Sequence, residues 1–305
     1  MSGSPEWLLP GTLAAAADRA TRRAISSGAM EPIETELDRI DDRGVRFTVR
    51  RVASLARKRL ERRRHAARAA GARPADPFQP YEEDLFVAGV SPTHFALLNK
   101  FNVLERHLLI VTREFASQEA LLDSADFAAL AACMAEFAAL GFYNGGPEAG
   151  ASQPHKHLQL VPLPLDAGPY AVPVAALLGS LGGRAGVLAV PGLPFRHAFA
   201  WLPPTSGEAP LETAARLEPV YLALLAAIGV RPVGGGRETL QSGPYNLLLT
   251  REWMLAIPRV QECHAGISVN ALGFAGSLFV QDDARGAALA RAGPMAVLTA
   301  VAGPR

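Results

Sequence analysis

Short runs of alternating apolar and polar residues predict most of the strands in this chain. Val45, Phe47 and Val49 alternate with polar residues, which predicts a half-buried strand with a basic outer face. Three further runs, "DLFVAGV", "HFALLNK" and "HLLIVTREF", are separated by short turns and predict an antiparallel meander. Later in the chain "PFRHAFAWL" predicts one strand, and "YNLLLTREWMLAIPR" predicts two strands around a turn.

Helical periodicity fills the segments between these strands. Residues 11–27 place Leu13 and several alanines on one stripe, which predicts a surface helix. Segments Ser117–Leu122 and Ser124–Leu140 predict a helix pair, and "LETAARLEPVYLALLAAIG" predicts a helix that ends at Gly229. Antiparallel strands with helices between them indicate the α+β class, with two related antiparallel-sheet halves and flanking helices.

Composition narrows the classes of protein. The chain has 305 residues, a formal net charge of +1 and two widely spaced cysteines, Cys133 and Cys263. A near-neutral chain has no long-range attraction for nucleic acid or for an acidic membrane surface. Two distant cysteines without a CxxC spacing fit a reducing compartment, and no apolar stretch is long enough to span a bilayer. These features predict a cytoplasmic protein that binds neither nucleic acid nor membrane.

Basic residues are concentrated between Arg50 and Arg68. A solvated helix is the simpler interpretation of such a run. The alternative is that the basic residues nearest the strand reach a polyphosphate. A nucleic-acid surface is less favoured, because the run lacks interleaved aromatic residues.

The stretch "HKHLQLVPLP" carries the candidate chemistry. Residues two apart on a strand lie on one face, about 6.6 Å apart. His155, His157 and Gln159 therefore share a face, directly after the glycine-rich segment "YNGGPEAGAS". Three interpretations are open: hydrogen-bonded structural histidines, two ligands of a zinc site, or a nucleophile for phosphorus chemistry. The adjacent glycine-rich loop favours the third over the second, because free main-chain N–H groups bind phosphate oxygens.

The segment "SQPHKHLQLVPLP" resembles the His-x-His-x-Gln signature of the histidine-triad superfamily, in its nucleotidyltransferase branch. Four further blocks resemble the ATP adenylyltransferases, also called diadenosine tetraphosphate phosphorylases; they are "IETELDRIDDRGVRFTVR", "DPFQPYEEDLFVAGVSPTHFALLNKFNVLERHLLIVTREF", "SGPYNLLLTREWMLAIPR" and "GISVNALGFAGSLFV". The resemblance extends from about residue 28 to residue 281. It implies a histidine-triad-like fold with a catalytic region at 1–185 and a C-terminal ATP adenylyltransferase region at 186–305.

The resemblance implies roles for individual residues. His157 would be the nucleophile, the His155 carbonyl would fix its tautomer, and Gln159 would hold an α-phosphate oxygen. The implied phosphate and nucleotide contacts are Asn99, Lys100, Asn144, Gly145, Gly150, Ser152 and Gln153, and the implied polyphosphate clamps are Arg50 and Lys58. A block expected to close over the site contains Thr250, Arg251, Trp253, Met254 and Arg259.

The activity that the resemblance implies is reversible phosphorolysis of diadenosine tetraphosphate by inorganic phosphate, which gives ATP and ADP. We expect a monomer with no tightly bound cofactor or metal ion, and Mg²⁺ only as a companion of the polyphosphate. A hexose-1-phosphate uridylyltransferase is the alternative within the superfamily, although such enzymes usually have proline where this chain has Lys156. A non-catalytic nucleotide-binding protein is the alternative from another class, but binding alone does not require the imidazole.

Overall fold

A computed structural model of the chain describes residues 7–30, 32–52, 76–204, 207–234 and 238–305. Its strands are β1 Thr35–Asp42, β2 Val45–Val52, β3 Phe86–Gly89, β4 His94–Leu98, β5 Leu108–Thr112, β6 Ala139–Gly145, β7 His157–Pro162, β8 Ala198–Trp201, β9 Pro232–Val233, β10 Leu240–Gln241, β11 Tyr245–Leu249, β12 Trp253–Pro258, β13 Cys263–His264, β14 Ile267–Ser268 and β15 Ser277–Val280. Its α-helices are α1 Leu13–Ser27, α2 Ser124–Met134, α3 Pro210–Ile228, α4 Ala271–Ala275, α5 Asp283–Ala292 and α6 Pro294–Ala302. Short 3₁₀ helices occur at Glu83–Leu85, Pro147–Ala149 and Pro173–Leu181.

One large sheet organises the chain. Its eight strands lie in the order β3-β4-β5-β7-β6-β11-β12-β8, and every neighbouring pair is antiparallel. A second sheet has the order β1-β2-β15, in which β15 runs parallel to β2. The α+β class and the meander β3-β4-β5 are confirmed. The predicted division at residue 185 remains a prediction. Strands β8, β11 and β12, which follow that residue, join the same sheet as the earlier strands.

The two faces of the large sheet are covered by different elements. Helices α1, α2 and α3 pack one face around a core that includes Leu130, Leu158, Leu160 and Leu224. The second sheet, the Pro173–Leu181 helix and helices α4 and α6 pack the other face. Successive residues of β7 alternate between these two cores, so the strand is buried on both sides.

Capping residues set those helix ends that were predicted correctly. At the start of α2 the Asp123 carboxylate accepts two main-chain N–H groups, and the Asp126 side chain accepts the N–H of Asp123. Helix α3 begins at Pro210, and Gly229 caps its C-terminal end. The φ of Gly229 is 81°, a left-handed conformation that glycine adopts without strain. The stripe on α1 is buried as predicted, with Leu13 and Ala17 fully covered.

The predicted helix pair is wrong in two respects. Residues 117–122 are not helical, because their main chain pairs with distant segments: Gln118 N–H donates to the Pro154 carbonyl and Leu121 N–H to the Thr239 carbonyl. Helix α2 ends at Met134, and the following chain enters the sheet as β6, all of it buried. Tertiary pairing at the centre of the sheet outweighs the helical propensity of the alanine-rich sequence.

Strand β2 also departs from its prediction. Arg46 is exposed, but Thr48 and Arg50 are buried and bonded to the segment around residues 165–166, so the outer face is basic only in part. Residues 50–52 end the strand, and the rest of the predicted basic helix, including Lys58, lies outside the described residues. No helix in the described part of the chain is long and apolar enough to cross a membrane.

Candidate active site

The two histidines of the "HKHLQ" stretch lie at the start of β7, where the strand leaves the centre of the sheet. His155, His157 and Gln159 share one face, and Lys156 points to the opposite face, as the alternation predicted. All three of these polar side chains are buried, with His155 fully covered and His157 only 3% exposed. They form a polar surface against which the segment of Phe78 packs. The centroid of the Phe78 ring lies 5.3 Å from that of the His157 ring.

The His157 ring is held through one nitrogen and free at the other. Its Nδ1 lies 2.8 Å from the main-chain carbonyl of His155, which can only accept, so Nδ1 carries the proton. Nε2 has no hydrogen-bond partner among the described residues and is left with its lone pair. Burial lowers the pKa of His157 to about 4, despite the opposing effect of the His155 carbonyl. The ring is therefore neutral at ordinary pH, the state that a nucleophile requires.

His155 is fixed at both of its ring nitrogens. Its Nδ1 lies 2.7 Å from the Asp76 carboxylate, and its Nε2 lies 3.0 Å from both the hydroxyl and the carbonyl of Thr112. Phe78 and Phe115 pack against the ring. No polar atom of this ring is free for a substrate, so its side chain fixes the peptide whose carbonyl holds His157.

Gln159 is hydrogen-bonded to a histidine that the sequence reasoning did not select. Its Oε1 lies 2.8 Å from His107 Nε2, and His107 Nδ1 lies 3.2 Å from Asn99 Nδ2. Burial lowers the pKa of His107 to about 4, outweighing the effect of its hydrogen bond to Gln159, so this ring is also neutral. Asn99, predicted to contact a nucleotide, is engaged inside the protein.

A second unpredicted residue, Gln118, fills a fork in the sheet. Strands β6 and β7 are paired up to Phe142 and Gln159 and then separate. The buried Gln118 amide enters this gap: its Oε1 accepts the His157 N–H at 2.8 Å, and its Nε2 donates to the carbonyls of Asn144 and His157. Gln118 thereby replaces the sheet hydrogen bonds that the main chain of the candidate nucleophile has lost.

Asn144 lies on the far side of this fork and is tied to the second half of the chain. Its Oδ1 accepts from Asn246 Nδ2 at 2.8 Å and from the Ala271 N–H at 3.0 Å. Because both contacts use the oxygen, the Asn144 amide group is left to donate. Among the described residues that amide group has no acceptor, so it can serve a bound anion.

Arg259 is committed to the protein rather than to a ligand. Each of its five N–H groups has a protein acceptor; these are the Asn246 side chain and the carbonyls of Val301, Val269, Gln261 and Glu262. Burial lowers the pKa of Arg259 to about 10. Arg259, which was predicted to belong to the block that closes over the site, therefore has no donor left for a ligand.

The glycine-rich loop follows β6 and returns the chain to His155. Gly145 ends the strand and its carbonyl accepts from Gln241. Gly150 has a φ of +88°, and a Cβ there would lie 2.9 Å from Asn270 and 3.0 Å from the Val269 carbonyl. Ser152 is exposed and Gln153 is half-buried, immediately before Pro154. Both lie on the segment that enters β7, and their contacts to a substrate remain a prediction.

The remaining basic candidates lie in different surroundings. Arg50 donates to the Ser277 hydroxyl at 2.6 Å and the Leu165 carbonyl at 2.9 Å, and burial lowers its pKa. Lys100 forms an exposed ion pair with Glu82, an interaction that a stronger anion can displace. Among the predicted basic residues that the structure describes, Lys100 is the one with a replaceable partner.

The block predicted to close over the site lies elsewhere. Asn246 is paired with Asn144, level with His157, but the β11–β12 turn begins at Thr250, about 13 Å further along the strand. Arg251 donates to the Met134 and Phe137 carbonyls on the helical side of the sheet. Thr250 belongs to this turn. Trp253 and Met254, the first residues of β12, pair with Trp201 and Ala200 of β8. These four residues do not reach the candidate site, because antiparallel pairing puts the turn at the opposite end of the sheet.

The arrangement suits nucleophilic attack by an imidazole on phosphorus. It combines a neutral ring with a free Nε2, amide donors on both sides and a glycine-rich loop. Within the described ranges, no three His, Cys, Asp or Glu side chains come together as a metal site. Sequence reasoning missed Asp76, His107 and Gln118. Alternation with Leu109 and Val111 put His107 on the face of Gln159 and could have identified it, whereas no local pattern marks Gln118.

Comparison with known proteins agrees with the resemblance. The family described as "Ap4A phosphorylase N-terminal domain" matches residues 4–180, and "ATP adenylyltransferase C-terminal domain" matches residues 191–304. Diadenosine 5',5'''-P1,P4-tetraphosphate phosphorylase 2 of Saccharomyces cerevisiae is 27% identical over 234 residues, which cover 68% of this chain and 69% of the yeast protein. The crystal structure of the yeast Ap4A phosphorylase Apa2 has a TM-score of 0.78 at 22% identity and covers 97% of this chain and 99% of its own. Apa2 has also been solved in complex with Ap4A, with a TM-score of 0.77 to this chain.

Proposed function

The chain belongs to the Ap4A phosphorylase family, and from that premise we propose that it catalyses reversible phosphorolysis of diadenosine tetraphosphate by inorganic phosphate, giving ATP and ADP. The observation that carries the proposal is the His157 ring, whose Nδ1 is bound to the His155 carbonyl and whose Nε2 is free. Structural histidines use both nitrogens, as His155 does. A ring with one unused nitrogen in a buried polar site is arranged for reaction.

The first displacement forms an adenylyl-enzyme. The lone pair on His157 Nε2 attacks one α-phosphorus, a P–N bond forms, and the bond from that phosphorus to the bridging oxygen breaks, so that ATP leaves. Positive charge develops on the ring during attack, and the Nδ1–H bond to the His155 carbonyl stabilises it. The amide group of Gln159 donates to a non-bridging oxygen, and the Asn144 amide group is placed to donate from the other side.

The second displacement uses inorganic phosphate. A phosphate oxygen attacks the same phosphorus, the P–N bond breaks, and ADP leaves with His157 Nε2 regaining its lone pair. Because each step exchanges one phosphoryl bond for another of similar energy, the sequence runs in both directions. Arg259 has no free donor. We therefore assign the binding of inorganic phosphate to Lys100, whose ammonium would leave its ion pair with Glu82.

The choice between phosphate and water decides whether this is a phosphorylase. Purified protein is incubated with diadenosine tetraphosphate in phosphate-free buffer and in buffer containing phosphate, and the nucleotides are separated. Equimolar ATP and ADP with phosphate, and no more than one ATP per enzyme without it, are expected. Continuous release of AMP at an unchanged rate without phosphate would make the protein a hydrolase and contradict the proposal.

A further inference from the structure

His107 lies beneath Gln159 and has no part in the chemistry described so far. The ring is buried, with Gln159 Oε1 at 2.8 Å from Nε2 and Asn99 Nδ2 at 3.2 Å from Nδ1. Phe142 packs against the ring. Both nitrogens of His107 therefore have a polar neighbour inside the protein, and neither is available to a substrate.

A main-chain group determines the direction of every hydrogen bond in this chain of contacts. The Phe101 N–H can only donate, and it lies 3.2 Å from Asn99 Oδ1. Asn99 therefore turns its amide group towards His107, and an amide group can only donate. His107 Nδ1 must accept, which leaves its proton on Nε2 and directs that proton at Gln159 Oε1.

The last member of the chain lies beside the nucleophile. Gln159 is two residues after His157 on the same face of β7, and its oxygen is occupied by His107. Its amide group has no partner among the described residues. A glutamine free to rotate presents oxygen and nitrogen equally well, and the oxygen repels a phosphate. The contact from His107 removes that ambiguity.

We infer that His107 is a positioning residue for the transfer reaction: it holds the Gln159 amide in the one orientation that donates to a phosphate oxygen. The inference rests on the proposed function and deepens it. Asn99 then serves as the anchor of this orientation rather than as a nucleotide contact. Burial keeps the His107 ring neutral, and a protonated ring would set an Nδ1–H against the Asn99 amide group.

The test is a double-mutant cycle between His107 and Gln159, with adenylyl-enzyme formation measured in a single turnover. His107→Phe keeps a ring of similar size but removes the donor, and we expect the rate to fall about 10- to 100-fold with little change in substrate affinity. In the Gln159→Ala background the same substitution should have almost no further effect, because the group that His107 orients is gone. A matched control is His197→Phe, which removes a half-buried ring bound to two main-chain groups and should leave the rate unchanged.

The outcomes separate this inference from the proposed function. Full activity of His107→Phe, or rate losses that multiply in the double variant, would overturn the positioning role while the reaction stands. No adenylyl-enzyme in the parent protein would overturn the function itself. Nitrogen-15 NMR of histidine-labelled parent protein gives an answer without activity: the signal absent from His107→Phe should belong to the Nε2–H tautomer, and an Nδ1–H tautomer would refute the inference.

Discussion

At the scale of single residues, burial controls when the proposed nucleophile is available. The His157 ring is 3% exposed, and no carboxylate among the described residues forms an ion pair with it. Its neutral form is favoured because the buried cation would lose its hydration. The lowered pKa means that the reactive form persists well below the range in which an exposed histidine is protonated.

The pH dependence of the first displacement should reflect this burial. A neutral ring attacks, and with a pKa of about 4 the neutral form is lost only as the pH falls through that value. Single-turnover formation of the adenylyl-enzyme should be flat from pH 8 to about pH 5 and decline below. Internal phosphates of the dinucleotide do not titrate in this range. An acidic limb centred near the ordinary histidine value of about 6.5 would contradict the assignment.

Gly150 is a residue of the loop at which a positive φ coincides with a close approach of main-chain atoms. Its positive φ of +88° strains any L-residue, and an added methyl group would meet Asn270 at 2.9 Å and the Val269 carbonyl at 3.0 Å. Gly150→Ala should lower the free energy of unfolding by about 2 to 4 kcal/mol, measured by denaturant titration. Gly168→Ala, at a glycine with open space and no positive φ, should change it by less than about 0.5 kcal/mol. Equal effects would refute the steric argument.

At the scale of elements, the separation of β6 and β7 makes room for the chemistry. The strands pair from Ala139 to Phe142 and then diverge. The glycine-rich loop and the two histidines lie where the strands have separated. Unpaired main-chain groups at such a fork are costly when buried. Gln118 supplies three of the missing hydrogen bonds, and Tyr143 holds the Gln118 carbonyl at 2.6 Å from its hydroxyl.

Removing this side chain should affect stability and rate together. Gln118→Ala leaves the buried N–H of His157 without an acceptor, and we expect a loss of about 2 to 4 kcal/mol of unfolding free energy with slower adenylyl transfer. Gln261→Ala removes an exposed glutamine that donates to one carbonyl and should alter neither by a measurable amount. A Gln118→Ala protein as stable and as fast as the parent would show that the fork needs no support.

Elements with local signals were predictable, and those governed by distant pairing were not. The alternation in β2 and β7, the meander and the glycine end of α3 follow from short-range rules. Residues 117–122 and 139–140 were predicted to be helical, but they pair with segments remote in sequence. The Thr250–Met254 block was misplaced because a matching sequence does not specify which end of an antiparallel strand faces the site.

At the scale of the whole molecule, the two faces of the large sheet have different roles: one supports the fold, and the other carries the candidate chemistry. Lys156, between the two histidines, points to the helical face, where its ammonium lies 2.5 Å from Asp126 and 2.8 Å from the Leu121 carbonyl. Burial raises the pKa of Asp126, but Lys156 and His94 outweigh this and hold it at about 2. The charged group nearest to His157 in sequence thus anchors α2 to β7, and the polar face of β7 is left to the reaction. Alternation predicted these two faces, but contacts such as His107 to Gln159 required the folded chain.

The protein as a whole should need no resident metal ion. The amide donors of the site are neutral groups, and Mg²⁺ is expected only to accompany the polyphosphate. Elemental analysis of purified protein should find less than stoichiometric zinc. In nucleotide-free protein, a chelator should leave the thermal unfolding midpoint unchanged. Stoichiometric zinc, or unfolding on chelation, would contradict this prediction.

The central claim is that His157 Nε2 forms a bond to the α-phosphorus, and trapping that bond tests it most directly. Protein is mixed with diadenosine tetraphosphate labelled at the α-phosphorus, without phosphate, and denatured in alkali. The account predicts label on the parent protein that survives base and is lost in acid, as a phosphoramidate is, and that maps to the peptide containing His157. His157→Ala should carry none while still binding the dinucleotide, and His155→Ala should carry label that accumulates more slowly. Label that is stable in acid and lost in base, or equal labelling of His157→Ala and the parent, would contradict the account.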